Sequence, residues 1–223
     1  MKQNKELKKG VAFFDFDGTI TFKDSFMEFV KYSNGSFQLV LCIIWNAPFI
    51  VLYYLKLYSN HQLKEGFFSF FFKNSLETEV TAKGVLFSKN QLSKICFPSA
   101  MRLIQWHKAQ NHDVYILTAS SNIWLNDWCK TNNLVLIGTE FETINGFYTG
   151  KIAGENCYGQ EKLNRIKPLL NQYNPDETYG YGNEKSDRYY LNKMRFELNT
   201  PLNENNVSLF LKLQEERLLI NSK

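Results

Sequence analysis

Apolar residues follow two rhythms along this chain. Short unbroken runs recur: Val11-Ala12-Phe13-Phe14, Val114-Tyr115-Ile116-Leu117 and Leu134-Val135-Leu136-Ile137. Runs of this length without a polar face predict strands, the first two buried on both sides. They place strands over 11–15, 113–117 and 134–137, with a shorter one, Thr178-Tyr179-Gly180-Tyr181, leading into Gly182-Asn183-Glu184-Lys185-Ser186-Asp187. Elsewhere the apolar positions fall three and four apart, as on one helix face. Phe26, Phe29 and Val30 predict a helix over 24–32 with Asp24 or Ser25 as its N-cap. The same spacing predicts helices within 61–95 and over 98–110, 121–132, 160–172 and 204–221. Between Thr139 and Gly154 the pattern alternates around Asn145-Gly146, a hairpin signal.

Strands alternating with helices predict an α/β fold, a Rossmann-like doubly wound parallel sheet covered on both faces. The exception is a long helical block between the first two strands. The expected division is a core of 1–23 and 98–223 with a helical cap inserted over 24–97. Ligands of such sheets bind at the carboxyl ends of the strands, where this insertion begins, so it is placed to act as a lid.

Composition narrows the picture. The 223 residues are 44% hydrophobic and 16% aromatic, ample for a packed core. The net charge of +4 comes from scattered lysines and not from a basic block, so no nucleic-acid partner is expected. Cys42, Cys96, Cys129 and Cys157 are far apart and lack zinc spacing, which points to a reduced, cytoplasmic setting. Residues 1–9 read as a polar lead-in, and the apolar run after them is too short for an export signal. His61, His107 and His112 have no partners at ligand spacing and read as non-catalytic.

The chemistry concentrates where strands end. Asp15 and Asp17 close the first strand at spacing i, i+2, which puts two carboxylates on one side of the chain, followed by Gly18-Thr19. Such a pair suits a carboxylate nucleophile, a second carboxylate and a hard cation. Three further clusters follow in order: Thr118 with Ala119 and Ser120, Lys162, and Asn183 with Asp187. Ser120 is expected to cap the following helix, and Lys167 competes with Lys162 as the functional lysine.

This order, with Asp15-Phe16-Asp17-Gly18-Thr19-Ile20 as first motif, resembles the haloacid dehalogenase (HAD) superfamily over nearly the whole chain. The insertion resembles the cap of the phosphoserine-phosphatase-like group, subfamily IB. The resemblance implies a phosphatase acting through an aspartyl-phosphate. Asp15 would attack phosphorus, and Asp17 would protonate the leaving oxygen and later deprotonate water. Gly18, Thr19, Thr118 and Ala119 would hold the phosphoryl group, and Lys162 would bind it and offset its charge. Mg²⁺ would be held by Asp15, Asp17 through its backbone carbonyl, and Asn183, with Asp187 helping through water or by orienting Lys162. The family's usual aspartate is replaced by Asn183, so weaker metal affinity is expected.

The substrate is read from the cap. From Tyr32 to Leu55 no residue is charged. Those 24 residues could span a bilayer, but one crossing would separate Asp15 from its later partners. Asn46-Ala47-Pro48 is expected to break the run into two helices of about 15 Å each, a shallow hairpin on a membrane surface, the alternative being a soluble lid packed on the Phe67–Phe72 cluster. Contact through residues 36–58 is expected, with Trp45, Tyr53, Tyr54 and Tyr58 as interfacial aromatics. Phosphoserine itself is disfavoured: residues 1–101 contain no arginine, and Asp24 stands where the group carries a glutamate. The preferred substrate is a phospholipid headgroup monoester such as phosphatidylglycerophosphate, by resemblance to the phosphatidylglycerophosphatase C type. A soluble small-metabolite phosphatase and a weakly active phosphate-binding protein are the other readings.

Overall fold

The computed structural model describes residues 9–221; all but the last residue of the predicted polar lead-in lies outside the described residues. Seven strands and nine α-helices appear among them. The strands are β1 (Val11–Phe14), β2 (Asp113–Ser121), β3 (Val135–Thr139), β4 (Phe141–Ile144), β5 (Phe147–Ile152), β6 (Thr178–Gly182) and β7 (Phe196–Asn199). The helices are α1 (Ser25–Asn34), α2 (Ser36–Tyr54), α3 (Asn60–Phe72), α4 (Glu77–Asn90), α5 (Pro98–Ala109), α6 (Asn122–Thr131), α7 (Gln160–Leu170), α8 (Arg188–Leu191) and α9 (Glu204–Asn221).

Five strands form one sheet in the order β3-β2-β1-β6-β7. β1 lies at its centre and runs parallel to β2, with Phe14 opposite Ile116, and to β6, with Phe14 opposite Tyr181. β6 is parallel to β7. All four residues of β1 are fully buried, which accounts for its unbroken apolar run. The chain moves from β1 through β2 to β3 on one side and returns as β6 and β7 on the other. The carboxyl end of β1 is therefore the switch point of the topology.

The chain divides into two compact units. The first holds the described residues through Phe22, Ile95–Thr118 and Tyr158 onward. Its core includes Phe14, stacked on Tyr181 at 4.4 Å between ring centroids, with Val207 and Phe210 of α9 also buried. The second unit holds Lys23–Lys94 and Ala119–Cys157. There α4 packs on α6, and Phe29 lies against Phe72, Phe87 and Trp124. Phe68 stacks on Phe141 with centroids 3.5 Å apart. β4 and β5 form the predicted hairpin, with Asn145 and Gly146 both at positive φ as a type I′ turn requires.

Asp24 caps α1, accepting from Met27 N at 2.9 Å. Three local expectations change. β2 continues through Ser121 instead of ending before Thr118, and Ser121, not Ser120, caps α6 by accepting from Ile123 N at 3.2 Å. β7 has no strong apolar pattern in sequence; pairing with β6 makes it a strand. α2 is one helix of 19 residues running through Pro48, not two halves. A helix tolerates proline at the loss of one backbone hydrogen bond when packing outweighs that loss. Here Leu39, Cys42 and Asn46 are buried, α2 packs on α1 and α3, and Asn46 Nδ2 donates to the Cys42 carbonyl at 2.9 Å.

Candidate active site

The site is built on the central strand. Asp15 follows β1 directly, and its N–H donates to the Tyr181 carbonyl at 2.8 Å. Its carboxylate is buried and both oxygens are bonded. Lys162 Nζ donates to Oδ1 at 2.6 Å, and Thr19 Oγ1 lies 2.9 Å from Oδ2. Lys162 comes from α7, whose buried face carries Lys162 and Ile166 at i, i+4, while Lys167 points to solvent. The lysine also donates to Asp187 Oδ1 at 2.7 Å, and its Nζ lies 5.6 Å from the centre of the Tyr190 ring.

Asp187 is fully engaged. Its Oδ2 accepts from the backbone N–H groups of Asn183 at 3.1 Å and Glu184 at 3.0 Å, so it braces the turn that follows β6. Gly182 makes room for it: a Cβ there would come within 2.7 Å of the Asp187 carboxylate. Because β1 and β6 are adjacent and parallel, this turn emerges beside Asp15.

The loop after Asp15 is tight. The Phe16 carbonyl accepts from the N–H groups of Thr19, Ile20 and Thr21, and the Gly18 N–H donates to Thr21 Oγ1 at 3.3 Å. The N–H groups of Gly18 and Thr19 are thus paired within the loop, and the Thr19 hydroxyl is what reaches Asp15 and Asn183. Asp17 is half-buried; burial of Cys96, reinforced by the Asp17 charge, pushes that thiol up to about 12. Thr118 is buried in β2, two residues past Ile116, the partner of Phe14. Ala119 follows it, and its carbonyl accepts from Lys64 Nζ within the second unit. Ser120 Oγ pairs with Ser25 Oγ at 3.1 Å there.

Two carboxylates around one ammonium leave a net negative charge in a buried place. Burial, reinforced by Asp187 and opposed by Lys162 and Thr19, raises Asp15 from 3.8 to about 6. Burial disfavours the charged form of Lys162, but Asp15 and Asp187 outweigh it and hold the lysine above its ordinary value. Lys162 is therefore a fixed cation.

The donor set suits a hard cation. Thr19 Oγ1 lies 2.9 Å from Asp15 Oδ2 and 3.0 Å from Asn183 Oδ1. One hydroxyl proton cannot satisfy both oxygens at once, so an acceptor is left over where two oxygens converge. That surplus, with the net negative charge, fits Mg²⁺ bound through oxygen. Among the described residues no group of three His, Cys, Asp or Glu side chains is arranged to hold a metal.

Sequence reasoning missed Tyr190. It is fully buried, donates to the Tyr181 carbonyl at 2.6 Å and presents its ring to Lys162. Its place three residues after Asp187 carries no signal of that role. The histidines fall outside the site: His107 and His112 are buried, 2.9 Å apart, and His107 Nε2 bonds the Tyr181 hydroxyl at 2.8 Å.

The chain is similar to known proteins in sequence and in fold. The chain is 26% identical over 182 residues, 80% of its length and of the relative's, to Protein CicA of Caulobacter vibrioides (strain NA1000 / CB15N). Its fold is similar to a protein of unknown function from Bordetella pertussis Tohama I, with a TM-score of 0.72 at 19% identity, covering 86% of this chain and 90% of that one. It is also similar to a phosphoserine phosphatase solved as a phospho-aspartyl intermediate analogue, with a TM-score of 0.62 at 16% identity and 86% of both chains covered. The model of the haloacid dehalogenase-like hydrolases matches residues 12–192, and the chain belongs to that family.

Proposed function

We propose that the protein is a Mg²⁺-dependent phosphomonoester hydrolase acting through a phosphorylated Asp15. The observation that carries this is Lys162 Nζ bonded at once to Asp15 Oδ1 and Asp187 Oδ1, which holds one buried carboxylate in place at the switch point. A similar fold in a phosphoserine phosphatase solved as a phospho-aspartyl analogue supports it.

In this reading an Asp15 oxygen attacks phosphorus as the ester oxygen departs. Asp17 gives that oxygen its proton, then takes one from the water that cleaves the acyl phosphate. Lys162 holds a phosphoryl oxygen and keeps Asp15 ionised. The Thr19 and Thr118 hydroxyls and the Ala119 backbone position the phosphoryl group. Asp15, the Asp17 carbonyl and Asn183 would hold Mg²⁺, which would supply positive charge beside the transferring group, while Asp187 braces the Asn183 turn.

The helical stretch 24–97 is taken as the cap. The preferred substrate is a phospholipid headgroup monoester such as phosphatidylglycerophosphate, met at the inner face of a cytoplasmic membrane through residues 36–58. The large apolar exposure of α2 supports this over a soluble metabolite. Asp24, which stands where the phosphoserine-phosphatase-like group carries a glutamate, caps α1.

The test is turnover of an aryl phosphate and of phosphatidylglycerophosphate with and without Mg²⁺, by wild type and Asp15→Asn. Turnover should need Mg²⁺ and fall at least ~10³-fold in the variant. An undiminished rate in a clean variant preparation would rule out phospho-Asp15. Failure of the lipid ester alone would return the substrate to the soluble class.

A further inference from the structure

α2 is the least covered apolar element among the described residues. Its buried positions, Leu39, Cys42 and Asn46, lie three and four apart and form one narrow stripe. Most of the remaining side chains are apolar and exposed, with Ser36 and Gln38 as polar exceptions and Ile50, Leu52 and Tyr53 half-buried. Phe37 is 73% exposed, Ile44 64%, Trp45 71% and Tyr54 78%, with Val40 and Val51 more than half exposed. The apolar surface continues past the helix end through Leu55 and Leu57. A patch of this extent on a soluble surface marks an interaction site.

Charge identifies the occupant. No acidic residue occurs between Glu28 and Glu65, whereas Lys31 and Lys56 bracket the helix and are both exposed. An acid-free apolar face rimmed by lysines and aromatics complements an anionic lipid surface.

The helix's partners settle how it can enter. At 19 residues α2 is about 28 Å long, close to the thickness of a hydrocarbon core. Its buried stripe, however, runs from Leu39 near the start of the helix to Asn46 at its middle, and the helix packs on α1 and α3. Those helices carry Glu28 paired with Lys31 at 2.8 Å, and Glu65 paired with Lys151 at 3.0 Å. A body bearing such charges cannot follow the middle of α2 into hydrocarbon.

We propose that α2 lies flat in the headgroup region of an anionic leaflet, sunk on every side except the Leu39–Cys42–Asn46 stripe. This rests on the membrane contact proposed above, and is independent of the catalytic reading. Its geometry has a direct readout. Trp45 is the midpoint of α2, so a flat helix keeps it shallow and a spanning helix would carry it to the bilayer centre. Trp124 and Trp128 are buried and Trp106 is half-buried, so the difference between wild type and Trp45→Phe isolates the Trp45 signal.

The experiment uses the full chain with vesicles of phosphatidylcholine alone or mixed with phosphatidylglycerol. It reads co-sedimentation, and tryptophan quenching by lipids brominated near the headgroup or deep in the acyl chain. At least tenfold more protein should sediment with the anionic vesicles, and shallow bromines should quench more. Trp45→Phe should remove that quenching. Ile44→Glu, at an exposed position, should leave the protein in the supernatant with aryl-phosphate turnover unchanged. Lys31→Gln with Lys56→Gln should abolish the preference for anionic vesicles. Absence of binding, equal binding to both vesicles, stronger quenching by deep bromines, or a dimer dispersed by Ile44→Glu would each overturn the proposal. Loss of aryl-phosphate turnover in wild type would instead strike the catalytic reading and leave the vesicle result standing.

Discussion

The Asn183 side-chain amide lies against the α-carbon of Gly18: a Cβ built there would sit 2.3 Å from Asn183 Nδ2. The first and last polar clusters, 165 residues apart, therefore meet through a glycine with φ of +75°.

Gly18→Ala strains the backbone and displaces the Asn183 amide. Left-handed backbone costs an L-residue about 1–2 kcal/mol. The expected outcome is a stability loss of about that size in urea unfolding, with a larger effect on the metal titration of activity because Asn183 moves. A variant with wild-type metal dependence would separate Gly18 from the site.

Asn183→Asp adds a carboxylate beside Asp15 Oδ2, where an amide oxygen now stands 3.0 Å from Thr19 Oγ1. Half-maximal activity should then need several-fold less Mg²⁺, and chelation should stop both proteins. An unchanged titration would remove Asn183 from the ligand set.

Tyr190 tests how Lys162 is held. Tyr190→Phe loses only the hydroxyl bond to the Tyr181 carbonyl, about 1 kcal/mol of stability. Tyr190→Leu also removes the ring beside Lys162 and should lower kcat about tenfold more than Phe does, with KM little changed. Equal kcat in both variants would make the tyrosine mere packing.

Acid should unfold the protein through His107. Burial, then the neighbouring His112, holds it well below its ordinary 6.5. The unfolded chain binds this proton more readily, so stability is complete above pH 6.5 and falls as pH drops toward the folded value. Burial likewise lowers His112, although Glu177 opposes the shift. Urea midpoints should drop below pH 6.5 in wild type and less steeply in His107→Gln. Parallel curves would place the acid sensitivity elsewhere.

Much of this was legible beforehand, and particular residues show why. A strand buried on both faces needs an unbroken apolar run, so Val11–Phe14 announced itself and Asp15 with it. Asp24 capped α1 and Asn145-Gly146 turned the hairpin because those are local chemistries. β7 was not legible, since Phe196–Asn199 owes its conformation to β6. The continuity of α2 through Pro48 was not legible either, because packing on α1 and α3 overrides the local signal.

The sequence alone determined the elements, the alternation that implies a parallel sheet, and the polar residues at its strand ends, since each depends on local periodicity and residue type. Only the tertiary structure chose Lys162 over Lys167, joined Asn183 to Gly18, brought Tyr190 under the lysine and left two-thirds of α2 bare. Those outcomes depend on distance and burial between segments far apart in the chain, and side-chain pattern along a single segment carries neither.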